Sequence, residues 1–341
     1  MDKKIVLIDG HSILTRAFYG IPDLTNKEGL HTNAVYGFLN ILFKVLEEEM
    51  PTHLIVAFDV SAPTFRHKMY EEYKGTRKPM ADELRQQVPV IKDVLKTMNI
   101  IVSEKEGLEA DDILGTLAKS AEREGFVVVV LSGDRDLLQL ASDTIKIRIP
   151  KTKAGKTTTE DYYTKDVIEK IGIRPEQVID LKGLMGDSSD NIPGVPGIGE
   201  KTALKILAQF PTVEEAIDRI EEMPNNRSKE LLKNHTELAK LSKELATIKT
   251  DCKLDITLDH ALIMDLFNHK AYDIIKKLEF KSILRRFESG MGMDMTWEEH
   301  FHKVSSKAEA DKVFSECRKE KQIGVKVVLC SEKDRKMRED G

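Results

Sequence analysis

Five short runs of branched aliphatic residues punctuate the first 150 positions, and an acid stands just beyond three of them. The runs are Ile5–Ile8, Leu54–Phe58, Ile100–Val102, Val127–Leu131 and Ile145–Ile149. Most lack the polar alternation of a half-solvated strand, so they read as strands buried on both faces. Helical spacing of apolar residues fills the gaps over Asn33–Glu49, Asp82–Met98 and Ala110–Glu124. Strands alternating with helices call for an α/β domain on a mostly parallel sheet. From Lys165 to Phe287 the pattern turns almost wholly helical, in short pieces.

The acids follow the strands. Asp9 closes the first run in "IVLIDGHS", Asp59 the second in "LIVAFDVS", and Asp134 and Asp136 the fourth in "VVVVLSGDRDLLQL". Ligands of open α/β sheets bind beyond the carboxyl ends of the strands, so three strands deliver acids to one edge. "LEADDILGTLAK" adds Glu109, Asp111 and Asp112 at a helix start, with Glu109 expected at or before the first turn. "GLMGDSSDNIPG" adds Asp187 and Asp190. Any one of these alone reads as a turn former or an N-cap. Their convergence does not. Carboxylates this close cannot all stay ionised without cations between them, and an all-oxygen set selects Mg²⁺ or Mn²⁺. Two ions about 4 Å apart would activate a water and stabilise the leaving oxygen in phosphodiester hydrolysis. Three scattered cysteines, Cys252, Cys317 and Cys330, give neither a zinc spacing nor a disulfide frame, and fit a reducing cytoplasm.

"GVPGIGEKT" is not a nucleotide P-loop, because Glu200 separates the glycine from Lys201 and no strand precedes it. It reads as a helix–hairpin–helix. Gly194, Gly197 and Gly199 permit a tight turn whose amides, with Lys201 and Thr202 and a helix over Thr202–Leu207, face a DNA phosphate. Such contacts fix register without reading bases. Between Arg66 and Arg85 lie six Lys/Arg and four acids, with Tyr70 and Tyr73 among them. Cations interleaved with aromatic rings suit a single strand, and a solvated helix face accounts for the same composition. Arg16 reads either as a phosphate clamp or as an ordinary surface arginine, and His11 as a local hydrogen-bonding residue. A net charge of −5 argues against a simple basic nucleic-acid binder unless the acids are committed to metal.

Residues 290–296 break the helical pattern and read as a linker. Ser306 and Glu309 then form a capping-box pair opening a helix to about Lys321, and Ile323–Cys330 reads as a strand. One helix and one strand cannot bury a core, so residues 297–341 are expected to begin a domain that they do not complete. The run Ile5–Ile8 is too short for a leader and no later run approaches a membrane span. A cytoplasmic protein without a membrane partner is expected.

Five separated motifs, "LIDGHS", "AFD…PTFRH…YKGTRKP", "EADD", "SGDRDLLQL" and "GDSSDNIPGVPGIGEKTA", resemble the 5′-nuclease domains of bacterial DNA polymerase I, within the flap endonuclease superfamily. The likeness spans about Lys3 to Ser289. It implies a PIN-like α/β fold: an acid-edged core over 1–164 with a helical arch at about 62–90, then a helical DNA-binding subdomain over 165–289. It implies a 5′→3′ exonuclease and 5′-flap endonuclease acting as a monomer on branched or nicked DNA and on RNA primer–DNA junctions, near the nucleoid. By motif, Asp9, Asp59, Glu109, Asp111, Asp134, Asp136 and Asp187 would be metal-site acids, with Asp112 and Asp190 lesser members. Arg66, Tyr73, Lys74 and Arg77 would fall in the arch around the 5′ strand, Lys74 and Arg16 would lie near the scissile phosphate, and the hairpin would hold K⁺. Residues 297–341 would begin a 3′-exonuclease-like domain. Two other readings stand beside this one: a non-catalytic junction binder, marked by a lost metal acid, and a PIN-type ribonuclease, which would lack both arch and hairpin.

Overall fold

In the computed structural model, which describes residues 3–153, 156–290, 304 and 306–318, the apolar runs form one six-stranded sheet. In chain order the elements begin β1 (Lys4–Asp9), α1 (Gly10–Gly20), α2 (Asn33–Glu49), β2 (His53–Ala57), α3 (Phe65–Met69), α4 (Asp82–Arg85) and α5 (Gln87–Thr97). There follow β3 (Ile101–Ser103), α6 (Ala110–Arg123), β4 (Val127–Leu131), β5 (Ile145–Lys153) and β6 (Lys156–Tyr162). The spatial order is β3-β2-β1-β4-β5-β6, parallel except for the final antiparallel pair. The strand order reverses between β1 and β4, which opens a crevice at their carboxyl ends.

The absence of polar alternation in β1 has a direct cause. Ile5 and Leu7 pack on one face of the sheet with Ile113, Leu114 and Leu117 of α6. Val6 and Ile8 pack on the other with Phe38 and Leu42 of α2 and Ile91 of α5. Both faces are covered, so Ile5 to Ile8 are all apolar.

Three departures from the sequence reading have local reasons. The segment after β1, left without structure, is α1: Asp9 accepts a hydrogen bond from the Ser12 amide at 3.0 Å and caps it. The stretch Asp82–Met98 divides into α4 and α5, since Pro89 has no N–H to give the carbonyl of Arg85. Strand β6 is a polar edge strand whose Asp161 pairs with Arg148 at 2.8 Å, so an apolar scan passes over it.

Beyond the sheet come α7 (Thr164–Ile171), α8 (Val178–Met185), α9 (Glu200–Leu207), α10 (Val213–Asp218), α11 (Arg227–Asn234) and α12 (Thr236–Ala246). Then follow α13 (His269–Lys277) and α14 (Lys281–Gly290). Leu184, Val195, Ile198, Ala203 and Ile206 join the same apolar cluster as Ile5 and Leu7. Ile275, Ile283 and Phe287 close the cluster on the opposite face. Residues 1–291 thus form one unit around two faces of one sheet. A second unit covers residues 292–341, in which α15 (Lys307–Cys317) starts at the expected Ser306/Glu309 reciprocal cap. Most of the linker and the strand over Ile323–Cys330 lie outside the described residues. Among the described residues no helix is long and apolar enough to cross a membrane.

Candidate active site

The carboxyl ends of the strands open into a cleft of about 960 Å³. Asp9, Asp59, Glu109, Asp111 and Asp134 line it together with Arg16, Lys74, Arg77, Arg135 and Lys151. Each acid is placed by backbone. Asp9 ends β1, and its second carboxylate oxygen accepts from the Ser132 hydroxyl at 2.7 Å. That hydroxyl in turn accepts from the Asp134 amide at 3.0 Å, so one buried serine ties the acids after β1 and β4 together. Asp59 accepts from the Ala110 amide at 2.8 Å, linking the loop after β2 to the start of α6. Glu109 is the N-cap of α6, as its spacing from Asp111 predicts. The ring nitrogen Nδ1 of His11 accepts from the Asp59 amide at 3.2 Å, and burial lowers the imidazole pKa, so His11 is a neutral local partner.

The nine acids divide by their counter-charges. Arg66 forks onto Asp112 at 2.8 and 2.9 Å, and its remaining donors reach the carbonyls of Leu245 and Thr247. Both side chains are buried, and Asp112 also accepts from the amides of Glu109 and Lys249. Every oxygen of Asp112 is therefore spoken for. The expectation that Asp112 faces metal and Arg66 faces DNA is corrected: the pair is a tether between the arch base, α6 and the chain after α12.

The second group joins the arch to the 187–191 loop. Tyr73 is buried and its hydroxyl donates to Glu109 and Asp190, each at 3.2 Å. It is a bridge between carboxylates, which corrects its reading as a ring on which bases stack. Lys74 pairs with Glu109 at 2.8 Å, Arg77 pairs with Asp190, and the Lys74 amide donates to the Asp190 carbonyl. Lys74 sits at φ 57°, a left-handed conformation costing about 1 kcal/mol or more outside glycine, held here by its flanking contacts. The arch itself is not a continuous helix: α3 and α4 flank turns and extended chain. Its exposed run Gly75–Met80 carries two of the six cations, Arg77 and Lys78.

In the third group, Lys182 of α8 lies between Asp136, at 2.7 Å, and Asp187. No local signal marks this lysine, which looks like an ordinary cation in the last turn of a helix.

Four acids remain. Asp9, Asp59, Asp111 and Asp134 take no part in the lysine and arginine pairs just described. Burial, followed by the charges of its neighbours Asp59 and Asp134, pushes Asp9 up to about 6. Asp111 is held well above the ordinary carboxylate range by burial and by repulsion from Asp134, Asp9 and Asp59. Among the described residues no three acidic, histidine or cysteine side chains converge as a ready-made ion site. The donor set nonetheless fits hard divalent cations, since crowded oxygens that resist ionising are relieved by one.

The hairpin runs from α8 to α9. Gly186 and Gly194 meet backbone to backbone, and a Cβ on Gly194 would lie 2.1 Å from the Gly186 nitrogen. The Gly194 amide is buried against the Ser242 hydroxyl at 2.9 Å, so Gly194 packs the turn and does not face phosphate, correcting its assignment. Gly197, Gly199 and Lys201 are exposed at the tip, with Thr202 half-buried in the first turn of α9.

Residues 4–172 match the model of the 5′-3′ exonuclease N-terminal resolvase-like domain, and residues 173–269 that of the 5′-3′ exonuclease C-terminal SAM fold. The chain belongs to the 5′-3′ exonuclease family. It is 51% identical over 289 residues to DNA polymerase I of Bacillus caldotenax and 50% identical over 284 residues to that of Bacillus subtilis. These matches cover 85% and 83% of this chain but 33% and 32% of the relatives, so the chain spans about a third of their length. The family's fold recurs in a T5 5′-exonuclease solved with bound zinc ions, at a TM-score of 0.61 and 24% identity, covering 81% of this chain and all of that one. A T5 flap endonuclease in a pseudo-enzyme-product complex with DNA and metal ions gives 0.60 at 22% identity, covering 84% and 97%.

Proposed function

We propose that this exonuclease-family chain hydrolyses DNA phosphodiesters near a 5′ end with divalent cations, acting both as a 5′→3′ exonuclease and as a 5′-flap endonuclease. The observation that carries the reading is the cleft itself, where four acids outside the three paired groups share a lining with five cations. Asp9, Asp59, Asp111 and Asp134 would hold Mg²⁺ or Mn²⁺, and Ser132 keeps two of them in register. Hard divalent ions, when bound, supply water activation and charge neutralisation at phosphorus. Arg16 and Lys74 stabilise charge developing on the scissile phosphate, and Arg77, Arg135 and Lys151 extend that rim for the neighbouring phosphates. The exposed amides of Gly197 and Gly199, with Lys201 and the start of α9, hold the duplex backbone away from the cut. The products are a 5′-phosphate and a 3′-hydroxyl.

Flaps, nicks and RNA primer–DNA junctions are the substrates this arrangement suits, with the chain acting as a monomer and K⁺ bound at the hairpin. A PIN-type ribonuclease would leave residues 173–269 without a task. A binder that had lost its chemistry would lack a cleft acid, and all five are present. Asp134→Ala should lower cleavage of flap DNA by at least ~100-fold while leaving flap binding intact. Normal turnover of that variant in Mg²⁺ would contradict the assignment.

A further inference from the structure

The carboxylates of Asp136 and Asp187 differ from the cleft acids in already holding a cation, and that cation belongs to the chain. Lys182 projects from the last turn of α8, with Nζ 2.7 Å from Oδ1 of Asp136 and bonded to Oδ2 of Asp187. The second oxygen of Asp187 is occupied by the Ser189 amide at 2.8 Å and the Ser189 hydroxyl at 2.7 Å. The Asp136 amide donates to Asp134 at 2.9 Å, which sets this pair against the cleft. All three side chains are largely buried, with 12 to 18% exposure. An ammonium at this distance fills the space between the two oxygens that an ion would need.

We infer that Lys182 is a tethered counter-ion that occupies the Asp136/Asp187 pair and sets the order in which divalent ions load. The inference rests on the divalent-ion reading above. Its physical basis is a competition for the same oxygens. One ammonium charge between two carboxylates, with Asp134 bonded alongside, leaves the group negative, so a divalent ion is attracted but must first displace the lysine. The four cleft acids take no part in such a lysine clamp, and their ion loads first. A lysine on a four-carbon stem can swing without moving its helix. A DNA phosphate entering the cleft offers the displaced ammonium a new partner, and by linkage DNA and the second ion then strengthen each other's binding. Lys182 is thus a positioning residue whose task is to keep the second ion out until substrate is present.

The test is Mn²⁺ binding to the full chain without DNA, counted by electron paramagnetic resonance of the free ion. Wild type, Lys182→Met and Lys182→Arg are compared, with a thermal melt of each. The expected result is that wild type fills one ion where Lys182→Met fills two, the second tightening by about tenfold or more. Lys182→Arg should follow wild type. The melts should place metal-free Lys182→Met below wild type and show it gaining more from Mn²⁺, because its two carboxylates then face each other uncompensated. If Lys182→Met does not fold, Lys182→Gln keeps two hydrogen-bond donors without charge and runs the same comparison. The same two-step binding curve in wild type and the neutral variant overturns this inference alone. No bound Mn²⁺ in either overturns the divalent-ion reading and the inference with it.

Discussion

Crowding of like charge is the defining feature of this molecule at the scale of the residue. Asp9 and Asp136 are each pushed up to about 6, mainly by burial, and Asp111 higher than its ordinary value by burial and three neighbouring aspartates. A raised carboxyl pKa means the folded chain keeps a proton that the unfolded chain releases near pH 4. Stability from these groups is therefore full at low pH and is lost as pH rises through about 6. On the proposed reading divalent ions take the place of those protons, so the rise in Tm on adding Mg²⁺ should be larger at about pH 8 than at about pH 5. An equal rise at both would mean that the ions bind elsewhere. Arg66 behaves differently. Its role is to neutralise buried Asp112, so Arg66→Met should destabilise the fold by about 3–5 kcal/mol in urea unfolding, as breaking one side of a buried pair does. An unchanged midpoint would return Arg66 to the DNA surface.

Single elements account for what the sequence could and could not reveal. The acids after β1, β2 and β4 were legible because strand ends are marked by where an apolar run stops. Helix α1 was not, since its capping residue Asp9 was already the most conspicuous of those acids and served both purposes. The partnerships of Arg66 with Asp112 and of Lys182 with Asp136 join segments far apart in the chain, and no local spacing records them. Composition marks Tyr73 and the hairpin's glycine pattern marks Gly194 as contact residues, and each is buried by a partner supplied by tertiary packing. The α8–α9 hairpin keeps an exposed tip at Gly197, Gly199 and Lys201. Lys201→Ala should weaken duplex binding equally for all sequences and reduce the salt slope by about 1. A sequence-selective loss would mean that the hairpin reads bases.

A net charge of −5 is compatible with the proposed nucleic-acid substrate because most of the clustered acids are paired internally. Arg66, Lys74, Arg77 and Lys182 absorb five of the nine, and the remaining four are those proposed to meet bound ions. Helices α13 and α14 close one face of the sheet while α8 and α9 extend the core of the other, so cleft and hairpin are carried on one framework. The measurement that bears most directly on this account is cleavage of a 5′-labelled double-flap DNA by the chain, in Mg²⁺ and in EDTA. Mg²⁺-dependent cuts near the junction of single strand and duplex are expected, and none in EDTA. Tight binding without cleavage in Mg²⁺, or cleavage that survives EDTA, would contradict it.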